Sequence, residues 1–347
     1  MILFIYIFSL IFLSVFSYGF IDPHLSTSLA YVAYDYRSVA AILFFILLVI
    51  LFSLYVYFLK HTPKIWIIPA AAGILLFSYP ALTYDLFNYI TTAKVAFTHG
   101  ENPYVVMPVE IPNEPNLAFT RAANKFALYG PVWIALTAIP HTLGSGNIWA
   151  TMFAFKFMNV ATYFGFCYFI WKVTKNSMNV IFFALNPLVL IEVIMNGHND
   201  IYMIFLALVA LKYKNIFALV ASWFIKGATL ILAPLQLLKI TWEKTLVAAY
   251  WLLAFVFFVF APIREELYPW YAVWLIATAS LMNFKSHKHL LGFTMVLSFA
   301  LELRHLPYMW MGYYEGPGPI LRTLLTVIPM ALFFVWFVWK KTKLKLF

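Results

Sequence analysis

Cysteine is almost missing from this chain: Cys167 stands alone among 347 residues. A lone thiol excludes a disulfide framework and a cysteine-bound metal centre. Charge is scarce too, at 10% of residues against about a quarter in ordinary soluble domains, so a water-facing surface cannot be covered and a soluble globule is excluded. The first 20 residues lack a basic start and a small-residue cleavage site, and their apolar run is too long for a signal peptide. They are expected to be a retained membrane span. There is no internal repeat and no soluble domain.

What is present is apolar length. The chain is 64% hydrophobic and 20% aromatic, with a mean hydropathy of +0.88, and runs of about 20 apolar residues read as membrane helices. The few basic residues are not scattered. Fourteen of the 23 Lys and Arg fall at Lys60/Lys64, Lys172/Lys175, Lys212/Lys214, Lys239/Lys244, Lys285/Lys288 and the tail Lys340, Lys341, Lys343 and Lys345. Of the 13 acids only Glu243 joins them. Basic loops stay cytoplasmic, so the alternate gaps face outward, and with them Asp85, His198-Asn199-Asp200 and Glu265-Glu266. The net charge of +10 follows from that bias and from attraction to anionic headgroups, not from nucleic-acid binding.

Hydropathy and charge together place spans at 1–20, 39–59, 65–82, 147–171, 178–196, 200–211, 245–262, 269–284, 289–306 and 320–339. The expected fold is an all-α integral membrane bundle of about ten transmembrane helices in a single catalytic domain, 1–347, with an outer loop at 83–130. Residues 131–143 are too short to cross and are expected to dip or lie on the surface. Residues 215–238 have lysines at both ends and Lys226-Gly227 in the middle. A single crossing would place Lys239 and Lys244 outside, so a re-entrant pair of half-helices is expected.

The outer loop opens on Asp85. If 85–99 is helical and stopped by Gly100, Asn88, Tyr89 and Thr92 share its face, at about 100° per residue. An acid, an amide, a phenol and a hydroxyl on one face suit a hydroxyl-rich ligand with a carboxylate to accept a proton. An ordinary interfacial helix is the alternative. Lys226, a cation within an apolar run, marks a functional site at the tip of the re-entrant pair, where a lipid phosphate is within reach, or snorkels to an interface along its aliphatic stem. Arg264, Arg304 and His305, at outer helix ends, are further phosphate contacts or headgroup anchors. His198, Asn199 and Asp200 bind sugar hydroxyls or position Asp85, or cap the next helix; as metal ligands they fall short of a site. Tyr268 and Trp270 offer an aromatic platform, or belong to the interfacial belt. Lys156 has no assigned role.

Four pieces of this sequence, in order, resemble the polyprenyl-phosphate-sugar-dependent membrane glycosyltransferases of the GT-C superfamily, particularly the mannosyltransferase-like branch. They are Asp85–Tyr89 leading to Gly100-Glu101-Asn102-Pro103-Tyr104; Tyr129-Gly130-Pro131; Asn186-Pro187 followed by Asn196-Gly197-His198-Asn199-Asp200; and Lys226 ahead of Pro234, with Tyr268-Pro269-Trp270-Tyr271 beyond. The resemblance implies a GT-C-like multi-pass fold in the cell membrane with its active site on the extracytoplasmic side. It implies Asp85 as catalytic base and a hexose, mannose by this branch, carried on a polyprenyl monophosphate. A glycan or glycolipid would accept the sugar, with Tyr129 joining Asn88, Tyr89, His198, Asn199, Asp200, Tyr268 and Trp270 as sugar or acceptor contacts. No cofactor and no divalent metal are expected. The rival reading is a polytopic transporter or lipid-linked-sugar permease, which would also use a broken helix and an intramembrane lysine.

Overall fold

The structure, a computed structural model, describes residues 1–26, 32–264 and 266–343. Glu265 and Lys345 lie outside the described residues, as do the side chains of Arg264, Lys341 and Lys343. Among the described residues the regular structure is all helical, with no strand. Six helices are long and apolar enough to cross a bilayer: Ile2–Phe20, Arg37–Lys60, Ile148–Thr174, Trp242–Ile263, Lys288–Met311 and Gly318–Lys340. Ser177–Ala184 and Val189–Met195 make a seventh if the pair, bent by 64°, counts as one span.

The expectation of about ten spans is therefore corrected, and the reason is geometric. Segment 65–82 forms only the ten-residue helix Ile67–Leu76, 200–211 the 14-residue helix Asp200–Tyr213, and 269–284 the turn Pro269–Tyr271 with the eight-residue helix Ala272–Ala279. At 1.5 Å per residue none reaches across about 30 Å of hydrocarbon. Hydropathy measures apolar length, whereas a span needs unbroken helix. The shortest of them is interior: every residue of Ala272–Ala279 is buried, while Gly318–Lys340 is only 6% buried and presents its sides outward.

Helix ends inside such a core leave backbone carbonyls without partners, and side chains from neighbouring helices supply them. Asn186-Pro187 breaks the helix; Tyr55 donates to the freed Phe182 carbonyl (2.7 Å) and Tyr163 to that of Ala184 (2.8 Å). Lys156, fully buried, donates to Leu75 O (3.0 Å), to Ser78 Oγ (2.8 Å) and to the Ser78 carbonyl, where Ile67–Leu76 ends. Its amine donates to the carbonyls left without partners at that helix C-terminus, so Lys156 is a cap.

Segment 215–238 folds as a hairpin. Helix Ile216–Trp223 runs in, Lys226 is extended, and Gly227–Leu232 and Pro234–Leu237 lead back. Its two ends meet: Lys214 Nζ donates to the carbonyls of Leu235 (2.8 Å) and Leu238 (3.2 Å). The helix Pro131–Gly144 packs against Ile148–Thr174, and a Cβ on Gly144 would stand 1.9 Å from Thr151 Oγ1.

Candidate active site

Asp85 opens the helix Asp85–Phe97, with its backbone N–H donating to Thr83 Oγ1 (3.1 Å). Its carboxylate is 27% exposed, at the floor of a cavity of about 630 Å³. Behind it, the turn Asn196–Asn199 presses in. Gly197 has φ +83°, and a Cβ there would stand 3.1 Å from Leu86 Cδ1, so the close approach of turn and helix requires glycine. That approach sets the buried His198 ring between two carboxylates: Nδ1 is 3.4 Å from Asp85 Oδ2 and Nε2 is 3.1 Å from Glu192 Oε2. Burial alone would push the imidazole down; the two carboxylates outweigh it and hold it up at about 9. Burial likewise pushes the Asp85 carboxyl up, but His198, with Lys226 and Asn88, brings it below its ordinary value. At neutral pH Asp85 is a carboxylate beside an imidazolium.

Glu192, fully buried, is the hub behind this pair. It sits in Val189–Met195, which is wound as a π-helix, and also accepts from Asn196 Nδ2 (3.0 Å) and meets His305 Nε2 at 2.9 Å. Sequence reasoning passed over it, although an acid inside an apolar segment is itself a signal of function. Among the described residues, Glu192, Glu302 and His305 are the group whose donor atoms, within 4.8 Å of one another, could hold a metal ion. Both Glu302 oxygens are buried without a hydrogen-bond partner.

A second motif, Tyr129-Gly130-Pro131, docks onto the hairpin tip. Gly130 N–H donates to Ile225 O and Val132 N–H to Phe224 O, both at 3.1 Å. A Cβ on Gly130 would lie 2.0 Å from Phe224 O, so no side chain fits. The tip so held delivers Lys226 to the cavity, where its Nζ lies 2.9 Å from Asp200 Oδ2 and 4.7 Å from the Tyr271 ring centroid. Asp200 is fully buried and also accepts from Trp274 Nε1 (2.6 Å).

Asp85, Asn88, Tyr129, Lys226, Tyr268, Trp270, Arg304 and His305 all line this one cavity. Asn88 divides its work, accepting from Ala122 N–H (3.1 Å) to anchor the outer loop. Trp270 stacks on Tyr268 (4.4 Å) and on His198 (4.0 Å), making one aromatic wall. Arg304 reaches Thr326 Oγ1 (3.1 Å) and Glu266 (3.5 Å). Tyr89, His198, Asn199 and Asp200 stand behind the lining. Tyr89 packs on Tyr129 and Trp133, with its hydroxyl unpartnered, and the Asn199 amide is buried without a hydrogen bond. Thr92 donates to the Asn88 carbonyl (2.7 Å). Arg264 ends the short helix Ala261–Arg264, and its side chain is outside the described residues.

Residues 56–255, more than half of the chain, match the family described as alpha-(1->6)-mannopyranosyltransferase, N-terminal domain. The chain belongs to this mannosyltransferase family. The matched range takes in Asp85, Tyr129, Glu192, His198 and the Lys226 hairpin. No curated protein and no solved structure matches. Membership in the mannosyltransferase family makes the protein a glycosyltransferase, and its six long apolar helices make it a membrane protein. Arg37, Arg121 and Arg322, which sequence reasoning did not single out, also line that cavity. Their signal was weak because each lies in a different segment and only folding brings them together.

Proposed function

We propose that this protein moves mannose from a polyprenyl-phosphate donor to a hydroxyl of a glycan or glycolipid on the extracytoplasmic side, with Asp85 as general base. The observation that carries the reading is the placement of Asp85, ionised and partly exposed, in the cavity that also holds Lys226, Arg304 and the Tyr268–Trp270 wall. GT-C-like architecture, as in the resemblance of the sequence, is part of the same reading. The family match favours transfer over transport.

The step balances simply. The acceptor O–H gives its proton to Asp85 as its oxygen forms a bond to the anomeric carbon. The bond from that carbon to the phosphate oxygen breaks, and its electron pair leaves on the phosphate, which gains a negative charge. Lys226 and Arg304 meet that charge in a low-dielectric cleft, where a fixed cation is worth more than in water. Side chains cover the charge, so no divalent ion is assigned to the step. His198 and Glu192 do not touch substrate on this reading; they position Asp85 and keep it ionised.

The test supplies radiolabelled polyprenyl-phosphate mannose and polyprenyl-phosphate glucose to membranes containing the protein or its Asp85→Asn variant. The wild type should move mannose label, and the variant should lose about a hundredfold or more, the scale of a general base. Equal transfer by both forms would remove Asp85 from the chemistry. Preference for glucose would reassign the sugar.

A further inference from the structure

Behind the cavity wall lies a charge that the transfer step does not use. Glu302 ends the helix Lys288–Glu302 and is fully buried, and both its carboxylate oxygens are without a hydrogen-bond partner. Among the described residues no Lys, Arg or His nitrogen stands within 4.0 Å of it. Arg304, two residues on, turns away to Glu266 (3.5 Å) and Thr326 Oγ1 (3.1 Å). Close to Glu302 instead is a second buried carboxylate, Glu192. Two carboxylates side by side in a low-dielectric interior repel one another, and an unpaired buried charge is costly. A cation or a proton belongs between them.

The backbone gathers the group. Leu303 and Arg304 keep right-handed helical dihedrals between the helices Lys288–Glu302 and His305–Met311, so Glu302 and His305, three residues apart, project from one side of the chain. Glu192 reaches them from Val189–Met195. A Glu-x-x-His pair on one helix face, met by a glutamate from another helix, is a recurring way for helical bundles to hold a metal in their interior. The donor atoms of Glu192, Glu302 and His305 lie within 4.8 Å of one another. Ligands about 2 Å from one ion stand slightly closer together, a difference that side-chain rotation closes. Glu192 is able to serve without releasing His198: its Oε2 is 3.1 Å from His198 Nε2, while Oε1 is the oxygen 2.9 Å from His305 Nε2. His305 is 12% exposed and lines the cavity, which gives an ion a way in and a fourth position for water.

We propose that Glu192, Glu302 and His305 bind one divalent transition-metal ion of the zinc class. An imidazole with two carboxylates suits Zn²⁺ or Mn²⁺, whereas Ca²⁺ and Mg²⁺ take more oxygens and no nitrogen. The ion takes the place of the proton between His305 Nε2 and Glu192 Oε1 and neutralises the Glu302 charge. It stands behind Asp85, outside the transfer step, and fastens the Glu192 hub on which His198 rests. The site goes beyond the reading of Asp85 as base and does not depend on it. It replaces the expectation, drawn from the sequence, of no divalent metal.

The test titrates Zn²⁺ alone into chelator-treated full-length protein in discs of uncharged phosphatidylcholine, with no donor or acceptor present, and counts bound metal by mass spectrometry. One ion per chain should bind, and saturation should raise the temperature of thermal unfolding. Glu302→Gln, which keeps the shape of the side chain, should weaken binding by about a hundredfold or more, the upper end of what losing a mere supporting group costs a metal site. His305→Gln should do the same, and a cooperative unfolding transition shows that each variant is folded. X-ray absorption at the zinc edge of the wild type should show one imidazole among oxygens, a result that needs no variant. Asp85→Asn should bind Zn²⁺ as the wild type does, even where transfer is lost, so failure of the base and failure of the metal site are told apart. Wild-type protein that binds no ion overturns the proposal, and a Glu302→Gln variant at least as stable would then assign a shared proton to the two carboxyls. Zn²⁺ held equally by the wild type and both variants would be an adventitious ion only, and overturns it too.

Discussion

His198 is charged because of its neighbours, and that charge has a measurable sign. Its folded-state value near 9 lies above the ordinary 6.5, so the stabilisation is fully present below pH 6.5 and disappears as pH rises through about 9. The loss should be on the order of 3 kcal/mol. Thermal unfolding of the detergent-solubilised protein from pH 6 to 10 should show it as a slope missing from His198→Gln; identical profiles would contradict the arrangement. Lys226 and Asp200 make a second residue-scale case. Removing the lysine strands a buried carboxylate that keeps only the Trp274 N–H, and Lys226→Met should cost about 3 kcal/mol. Adding Asp200→Asn should recover most of that stability but not transfer, if Lys226 serves the leaving phosphate. Recovery of both would reduce the lysine to a structural partner.

Elements here are shaped by where they break. The helical run from Ser177 to Met195 breaks at Asn186-Pro187, and tyrosines from two other helices satisfy the Phe182 and Ala184 carbonyls left open beside the break. The hairpin breaks at Lys226-Gly227, and its tip is latched by backbone hydrogen bonds from Gly130 and Val132. This latch predicts that Gly130→Ala acts at a distance. The methyl cannot share space with Phe224 O, so the tip must withdraw and carry Lys226 from the cavity. Transfer should fall by at least about tenfold with donor KM raised, while Asp85, on another helix, keeps its His198 neighbour. A variant with unchanged kinetics would show that the latch does not place the lysine. Asn186-Pro187 and Tyr129-Gly130-Pro131 were legible as motifs, but their work was not, since each acts on a carbonyl far away in the chain.

For the whole molecule, the charge asymmetry makes an orientation claim that labelling can decide. The single native thiol, Cys167, is buried, so Cys167→Ala gives a background for introduced cysteines. A membrane-impermeant thiol reagent on intact cells should modify a cysteine at Asn102, in the outer loop, and spare one at Lys175 until the membrane is opened. Labelling in the opposite order would turn the cavity to the cytoplasm. The same asymmetry explains why orientation is easier to read than span number. Lysine positions are a property of sequence, whereas the lengths of Ile67–Leu76, Asp200–Tyr213 and Ala272–Ala279 depend on where each helix breaks, which hydropathy does not report.

Sequence alone determined that this is an all-helical membrane chain, that its acids gather apart from its lysine-rich loops, and that Asp85, Lys226, Arg304 and Trp270 are residues to watch. Those are matters of composition and spacing, which hydrocarbon solvent and helical period translate directly. Only the tertiary structure decided which of the marked residues share a cavity, that Tyr89 and Asn199 stand behind it, and that Lys156 caps a helix. It alone joined Glu192 to His198 and brought Arg37 and Arg121 to one cavity, because pairing among buried charges depends on which helices touch, and no local pattern encodes that.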